Sequence, residues 1–134
     1  MLNGHCECGR VRFEVDGDIE DFSHCHCSQC RRLHGAAYAT FAGVAREKFR
    51  YISGEDAIRA YASSADNDRI FCGNCGSNIL VDTKREPEAL YLAMSTLEGN
   101  PTRPEAYHAY TASKAPWHEI TDNLERYESE PPEE

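Results

Sequence analysis

The sequence lacks any long apolar run, and none of its apolar stretches approaches the ~18 to 20 residues that a membrane helix needs. Its first residues, MLNGHCECGR, contain no basic segment followed by an apolar one, which excludes the pattern of a secretory signal peptide. We therefore expect a cytoplasmic protein. Thiols stay reduced in that compartment, so clustered cysteines there indicate metal binding or catalysis rather than disulfides.

Basic residues are also scarce, because 14 Lys and Arg stand against 23 Asp and Glu, a formal net charge of −9. The balance stays acidic when the glutamate-rich last seven residues are left out. Affinity for nucleic acid comes largely from basic side chains that neutralise phosphates. The composition therefore predicts no nucleic-acid partner, and the same argument excludes binding to an anionic membrane surface.

The length of 134 residues is that of one domain. We predict a domain over residues 1–127 and an acidic, disordered tail over 128–134, because the tail has almost nothing to bury. Val11, Phe13 and Val15 alternate with charged residues, which is the period of a half-buried strand. Further short strands are predicted near 19–25, 37–42, 49–53, 57–62, 69–72, 78–82, 89–94 and 105–110.

Each of these segments is bounded by Gly, Pro, Asn, Asp or Ser, as expected for short strands joined by turns. Only two stretches, 28–34 and 44–48, have helical character. The predicted fold is mainly β, an antiparallel sandwich-like fold with one or two short helices.

The seven cysteines fall into three clusters, and none lies outside them. Such clustering is typical of metal ligands and not of small core residues. The clusters are Cys6 with Cys8, then Cys25, Cys27 and Cys30, then Cys72 with Cys75.

The last cluster, Cys72-Gly73-Asn74-Cys75-Gly76, has the pattern of a zinc knuckle, in which a tight turn brings two sulfurs to one ion. A structural zinc takes four ligands, so the knuckle needs a second pair. Cys6 and Cys8 can supply it, because residues i and i+2 of an extended segment face the same side. We predict a structural zinc on these four cysteines.

The middle cluster then offers three thiolates and no fourth cysteine. Three protein ligands with one open position are typical of a catalytic zinc. We predict a second, catalytic zinc on Cys25, Cys27 and Cys30. Two alternatives stay open from spacing alone: the middle cysteines could pair with the knuckle instead, and an iron–sulfur cluster also takes thiolate ligands.

The histidines carry weaker signals. His24 and His26 interleave with Cys25 and Cys27, so in an extended strand their rings point away from the sulfurs. We therefore expect His26 to pack or to donate a hydrogen bond, and not to complete the metal site; His5 is interpreted in the same way. His34, His108 and His118 have no ligand spacing.

Four motifs together resemble the glutathione-dependent formaldehyde-activating enzyme family, also called centromere protein V-like. They occur in order over residues 4–117 and are Gly4-His5-Cys6-Glu7-Cys8-Gly9, Cys25-His26-Cys27-Ser28-Gln29-Cys30-Arg31, Phe71-Cys72-Gly73-Asn74-Cys75-Gly76-Ser77 and Ala115-Pro116-Trp117. The resemblance implies a mainly antiparallel β zinc fold with the same division of cysteines between two zinc ions. It also implies carbon–sulfur lyase chemistry, which joins glutathione and formaldehyde into S-hydroxymethylglutathione or splits that adduct.

Two functional hypotheses follow. In the first, the protein is a zinc-dependent carbon–sulfur lyase whose middle site takes a small thiol such as glutathione and a small aldehyde. Arg31 and Arg32 could then hold a substrate carboxylate, and Trp117 could form a wall of the pocket. A surface ion pair for the arginines and a core position for the tryptophan are the simpler interpretations of these residues.

In the second hypothesis, the protein is a non-catalytic zinc-binding module for a protein partner. A pocket at the middle site would favour the first, and a fourth protein ligand would favour the second. The oligomeric state is not predicted.

Overall fold

The computed structural model describes residues 1–131, and within them the chain forms ten strands and one α-helix. The elements, in chain order, are β1 Leu2–His5, β2 Arg12–Val15, β3 Asp21–Cys25, α1 Ser28–His34, β4 Ala39–Ala45, β5 Phe49–Ser53, β6 Ile58–Ala62, β7 Asn67–Cys72, β8 Asn78–Thr83, β9 Ala89–Ala93 and β10 Tyr107–Ala109. The prediction of a mainly β fold is confirmed, and most predicted strands lie within one or two residues of the observed ones.

Two sheets are present. The larger has seven strands in the order β10-β3-β4-β9-β8-β7-β6, and the smaller has three in the order β1-β2-β5. Every strand pair is antiparallel except one, because β10 lies parallel to β3 at the edge of the larger sheet. That parallel edge departs from a purely antiparallel prediction, and it places the end of β10 beside the end of β3, next to Cys25.

Two local predictions were incomplete. The segment 44–48 is not one helix, because Val44 and Ala45 continue β4 in register with β9, and only Arg46–Lys48 forms a short 3-10 turn. The sequence pattern also missed β1, which contains Gly4. A Cβ atom at Gly4 would approach the Phe13 ring to 2.3 Å, so close packing requires this glycine even though it weakens the strand signal.

The core lies between the two sheets and is built mainly of branched aliphatic side chains from alternating positions, together with Phe13. Two cysteines, Cys6 and Cys72, belong to this core and are almost fully buried. Because Cys6 follows β1 and Cys72 ends β7, these two residues bring the first strands against the larger sheet.

The chain after β10 returns along that edge strand. His108 donates its backbone N–H to the Glu125 carbonyl at 2.8 Å, and Tyr127 donates back to the His108 carbonyl at 2.9 Å. Just after β10, the backbone N–H groups of Tyr110 and Ala112 donate to the carbonyls of Ser129 and Glu128. The disordered tail over 128–134 stays a prediction, and residues 132–134 lie outside the described residues. Within residues 1–131, no helix has the length and apolar character required to cross a membrane.

Candidate metal centres and the adjoining cavity

The first candidate metal centre joins two turns that are far apart in the sequence. The sulfurs of its four cysteines lie within 4.8 Å of one another, with 3.6 Å between Cys6 and Cys8 and 3.9 Å between Cys8 and Cys72. A tetrahedral ion with metal–sulfur bonds of about 2.3 Å places its sulfurs roughly 3.8 Å apart. The fourth member is Cys75. The sulfur-only donor set and these separations therefore fit a tetrahedral metal ion.

Each of the two turns that carry these cysteines is closed by a hydrogen bond from a glycine. Gly9 donates its N–H to the Cys6 carbonyl at 3.0 Å, and Gly76 donates to the Cys72 carbonyl at 2.8 Å. Both glycines have a positive φ, +77° and +81°, which other residues adopt at a cost. The glycine after each cysteine pair thus closes the turn that makes the two sulfurs converge.

Neighbouring groups hold the four sulfurs in place. Val11 donates its backbone N–H to the Cys6 sulfur at 3.3 Å. The Ser77 hydroxyl accepts from the Glu7 N–H at 2.9 Å and lies 3.3 Å from the Cys75 sulfur. Hydrogen bonding from Ser77 lowers the pKa of Cys75 to about 5, which favours the thiolate that a metal requires. Ser77 therefore links the two turns and supports the ligand form of Cys75.

The second candidate centre is local in sequence. Cys25 ends β3, Cys27 caps the N-terminus of α1, and Cys30 lies in the first turn of that helix. The Cys30 N–H donates to the Cys27 sulfur at 3.2 Å, which is the helix cap itself. The three sulfurs lie within 4.8 Å of one another, and no His, Cys, Asp or Glu in residues 1–131 completes the group as a fourth ligand.

The three sulfurs differ in their electrostatic environment. Hydrogen bonds from Cys25 and then Cys30 hold the pKa of Cys27 well below its usual value, and the bond to Cys27 raises the pKa of Cys25. The three thiols therefore form one interacting cluster. A guanidinium lies beside it, because Arg69 of β7 donates from Nη1 to the Cys30 sulfur at 3.4 Å.

The three sulfurs face a cavity of about 950 Å³, whose lining includes Cys25, Cys27, Cys30 and Arg69. That volume is at the upper end of the range for small-molecule sites, roughly 300–1,000 Å³. An opening next to an incomplete ligand set is the arrangement that an exchangeable ligand needs.

The wall of the cavity away from the sulfurs pairs carboxylates with tyrosines. Tyr107 donates its hydroxyl to Asp21, with 3.0 Å to each carboxylate oxygen, and Tyr91 donates to Glu86. Burial raises the pKa of Asp21. The hydrogen bond from Tyr107 opposes this shift, and the negative charge of Glu86 adds to it. On a further side, Arg85 pairs with Glu130 at 2.9 Å. The lining of the cavity therefore carries more acidic than basic side chains.

Behind the sulfurs lies a buried chain of histidines. His26 is 0% exposed and its Nε2 lies 2.8 Å from His108 Nδ1, while His108 Nε2 lies 2.9 Å from an Asp122 oxygen. The carboxylate only accepts, so His108 donates to it from Nε2 and His26 donates to the free Nδ1 of His108. Burial, with smaller effects from neighbouring histidines, lowers the pKa of His26 to about 4. His26 is thus a hydrogen-bonding residue, as predicted, and it does not belong to the group of three sulfurs that could hold a metal ion.

The predicted substrate residues lie elsewhere. Trp117 is 71% exposed, so the interpretation of it as a core aromatic is wrong; its ring instead lies 5.8 Å from the Arg31 guanidinium carbon. Arg31 also donates from Nε to the Ser113 carbonyl at 3.1 Å. The cavity lining described within residues 1–131 does not include Arg31, Arg32 or Trp117.

Sequence reasoning missed Arg69, His108 and Asp122. His108 is separated from His26 by 82 residues and Asp122 from His108 by 14, so no local spacing could reveal their contacts. For Arg69 a signal did exist, because an arginine two residues before Phe71-Cys72 sits in a strand that leads directly to a metal ligand.

Comparison with known proteins agrees with the cysteine pattern. A sequence profile described as glutathione-dependent formaldehyde-activating enzyme matches residues 1–113. The chain belongs to this family. Among its relatives is a Halomonas elongata protein whose assignment as a glutathione-dependent formaldehyde-activating enzyme is provisional; it is 29% identical over 127 residues, covering 90% of this chain and 81% of the relative.

Two further similarities extend the comparison. An uncharacterised lyase of Schizosaccharomyces pombe is 29% identical over 76 residues, which cover 57% of this chain and 53% of that protein. A crystal structure of a Rhodobacter sphaeroides protein superposes with a TM-score of 0.62 at 27% identity, covering 73% of this chain and 89% of that one. The names of the relatives support an enzyme that activates formaldehyde or acts as a lyase.

Proposed function

We propose that this protein is a zinc-dependent carbon–sulfur lyase that acts on adducts of a small thiol with a small aldehyde. The pair suggested by the family is glutathione with formaldehyde. The observation that carries the proposal is the three-cysteine cluster, which faces a large cavity and lacks a fourth protein ligand among the described residues. We assign a structural zinc to Cys6, Cys8, Cys72 and Cys75, and the catalytic zinc to Cys25, Cys27 and Cys30.

The reaction is an addition without redox change. The S–H bond of the thiol breaks, a C–S bond forms at the aldehyde carbon, and the thiol proton ends on the former carbonyl oxygen; the reverse direction splits the adduct. A zinc ion at the three cysteines would supply Lewis acidity that favours the ionised form of a thiol.

The residues of the chain would perform the remaining tasks. The three sulfurs define the position of the reacting centre at one end of the cavity. Asp21, which accepts from Tyr107 in the same cavity, lies at the other end of β3 from Cys25 and would contact the part of the substrate away from the reacting centre. Polar side chains on the acidic wall would contact the rest of the thiol substrate. Reduced cysteines are required throughout, which is consistent with the proposed cytoplasmic location.

The alternative, a zinc module that only binds a partner protein, is less well supported. That function predicts a fourth side chain closing the middle site, whereas the described residues provide three sulfurs and a cavity.

The test is exchange NMR with ¹³C-formaldehyde and glutathione at equilibrium. The wild-type protein should accelerate interconversion of free formaldehyde and the hydroxymethyl adduct. Cys27→Ser should fall to the rate without protein. Arg59 is exposed and donates to the backbone carbonyls of Asp56 and Ile58, so Arg59→Gln should keep the wild-type rate. No acceleration by zinc-loaded wild-type protein would reject this substrate pair.

A further inference from the structure

Arg69 is a buried charge with an unusual set of partners. It is 6% exposed, and its Nε donates to the Ser63 hydroxyl at 3.2 Å while Nη1 donates to the Cys30 sulfur at 3.4 Å. No Asp or Glu in residues 1–131 forms an ion pair with it. A buried guanidinium is costly unless an anion compensates it, so the sulfurs of the three-cysteine cluster are its counter-charge.

The position of Arg69 in the sheet explains why it points at the cluster. It lies in β7, opposite Tyr61 on one side and Val81 on the other, and it faces the same cavity as the cysteines. The strand is fixed at its end by Cys72, a member of the other cluster. The guanidinium is thus held by the fold and not by a flexible loop.

Charge counting shows what such a group does for the middle site, on the basis of the proposed function. Three thiolates and one divalent cation carry a net charge of −1, which Arg69 cancels. An anionic fourth ligand then brings the site to −1, whereas without Arg69 it would bring the site to −2. A neutral fourth ligand adds no charge in either case. A buried positive charge therefore favours an anionic ligand over a neutral one in a site of low dielectric.

We propose that Arg69 is a positioning residue that selects an anionic sulfur ligand for the open position of the three-cysteine site. It acts through Cys30 and through its charge, and it makes the thiol, in ionised form, the preferred occupant over water or another neutral donor. Partners of this kind in the surroundings of metal ligands typically change affinity by about 10- to 100-fold when removed.

The test uses Co²⁺ in place of zinc, because its visible spectrum reports on the ligands at each site. Purified protein loaded with two equivalents of Co²⁺ is titrated with glutathione, and with S-methylglutathione as a ligand without a free thiol. A site that already has four thiolates gives a constant background. In the wild type, glutathione should change the spectrum and S-methylglutathione should not.

Arg69→Gln should raise the dissociation constant for glutathione by about 10- to 100-fold, while affinity for the neutral ligand imidazole changes little. Arg69→Lys keeps the charge and should recover most of the thiol affinity. Arg59→Gln is the matched control and should behave as the wild type. If Arg69→Gln is unfolded by circular dichroism, Ser63→Ala, which only frees one hydrogen bond of the guanidinium, should still weaken glutathione binding severalfold.

The outcomes separate this inference from the proposed function. If the wild type loads both sites but does not respond to glutathione, the proposed function fails and the role of Arg69 fails with it. If the wild type responds and the folded Arg69→Gln variant has the same dissociation constant within twofold, only the role of Arg69 is rejected. Equal weakening of glutathione and imidazole would also reject it, because a purely structural role affects both ligands alike.

Discussion

The two cysteine centres offer the same kind of ligand atom, a cysteine sulfur, but they differ in loop length and surroundings. The four-cysteine centre connects turns 64 residues apart, with Cys6 and Cys72 buried and Cys8 exposed, while the three-cysteine centre is contained within six residues and faces a cavity. Closing a long loop constrains far more chain entropy than closing a short one. The difference indicates that the first centre contributes mainly to folding and the second mainly to chemistry.

The largest expected effect tests the folding role. Cys72→Ser should strip the four-cysteine centre and leave the protein unfolded or insoluble. The apparent binding energy of a structural zinc is on the order of 10 kcal/mol or more, and a domain has only about 5–15 kcal/mol of net stability. Circular dichroism, solubility and elemental analysis of the variant measure this. A folded, soluble Cys72→Ser protein would show that the four-cysteine centre is not the structural one.

At the three-cysteine centre we expect a smaller effect on folding but a complete loss of activity. Cys27→Ser should stay folded, keep about one zinc ion per chain, and lose thiol binding and turnover, because its site closes only a short loop. Zinc content and thermal unfolding are the measurements, with the wild type as the reference for two ions. Unfolding of Cys27→Ser beside an intact Cys72→Ser would reverse the assignment of the two centres.

The smallest expected effect concerns Asp21 in the wall of the cavity beside the three-cysteine centre. The charged form of Asp21 lowers the stability of the folded protein, because burial raises the pKa of this carboxyl group. The contribution of Asp21 to the free energy of unfolding is fully present below its ordinary pKa of about 4. It is lost as pH rises through the pKa that Asp21 has in the folded protein. Asp21→Asn can still accept from Tyr107, so at pH 7 it should raise Tm slightly, and the difference from wild type should vanish near pH 3.

Asp122 provides the control of opposite sign. The hydrogen bond from His108 lowers its pKa, so its contribution is present above the ordinary pKa and is lost as pH falls through the folded pKa. Asp122→Asn should therefore lower Tm at pH 7 and converge with the wild type in acid. Thermal unfolding between pH 3 and 8 measures both variants, and a lower Tm for Asp21→Asn at pH 7 would contradict the prediction.

Much of the fold could be read from the sequence because its signals are local. Alternation placed β2, turn residues bounded most other strands, and the segment 28–34 coincides with α1. The cysteine spacing also anticipated two groups of four and three sulfurs, and the structure brings those same residues together. The failures came from contacts between strands: β1 is held by packing of Gly4 on Phe13, and Val44 is held in a strand by β9.

The residues around the cysteines were predicted less well than the cysteines themselves. Arg31, Arg32 and Trp117 were chosen because they neighbour the motifs in sequence, yet they lie outside the cavity lining that the structure describes. The residues that do approach the cluster come from β7, and its supporting histidine comes from β10. Adjacency in sequence was therefore a poor guide to adjacency in space.

The sequence by itself determined the ligand chemistry, because thiolates two or three residues apart converge through turn geometry alone. Tertiary structure alone decided what surrounds those thiolates. The parallel contact of β10 with β3 brings His108 behind the cluster, and the packing of β7 places the Arg69 guanidinium against Cys30. These contacts join residues 39 to 82 positions apart, and burial and sheet order specify them.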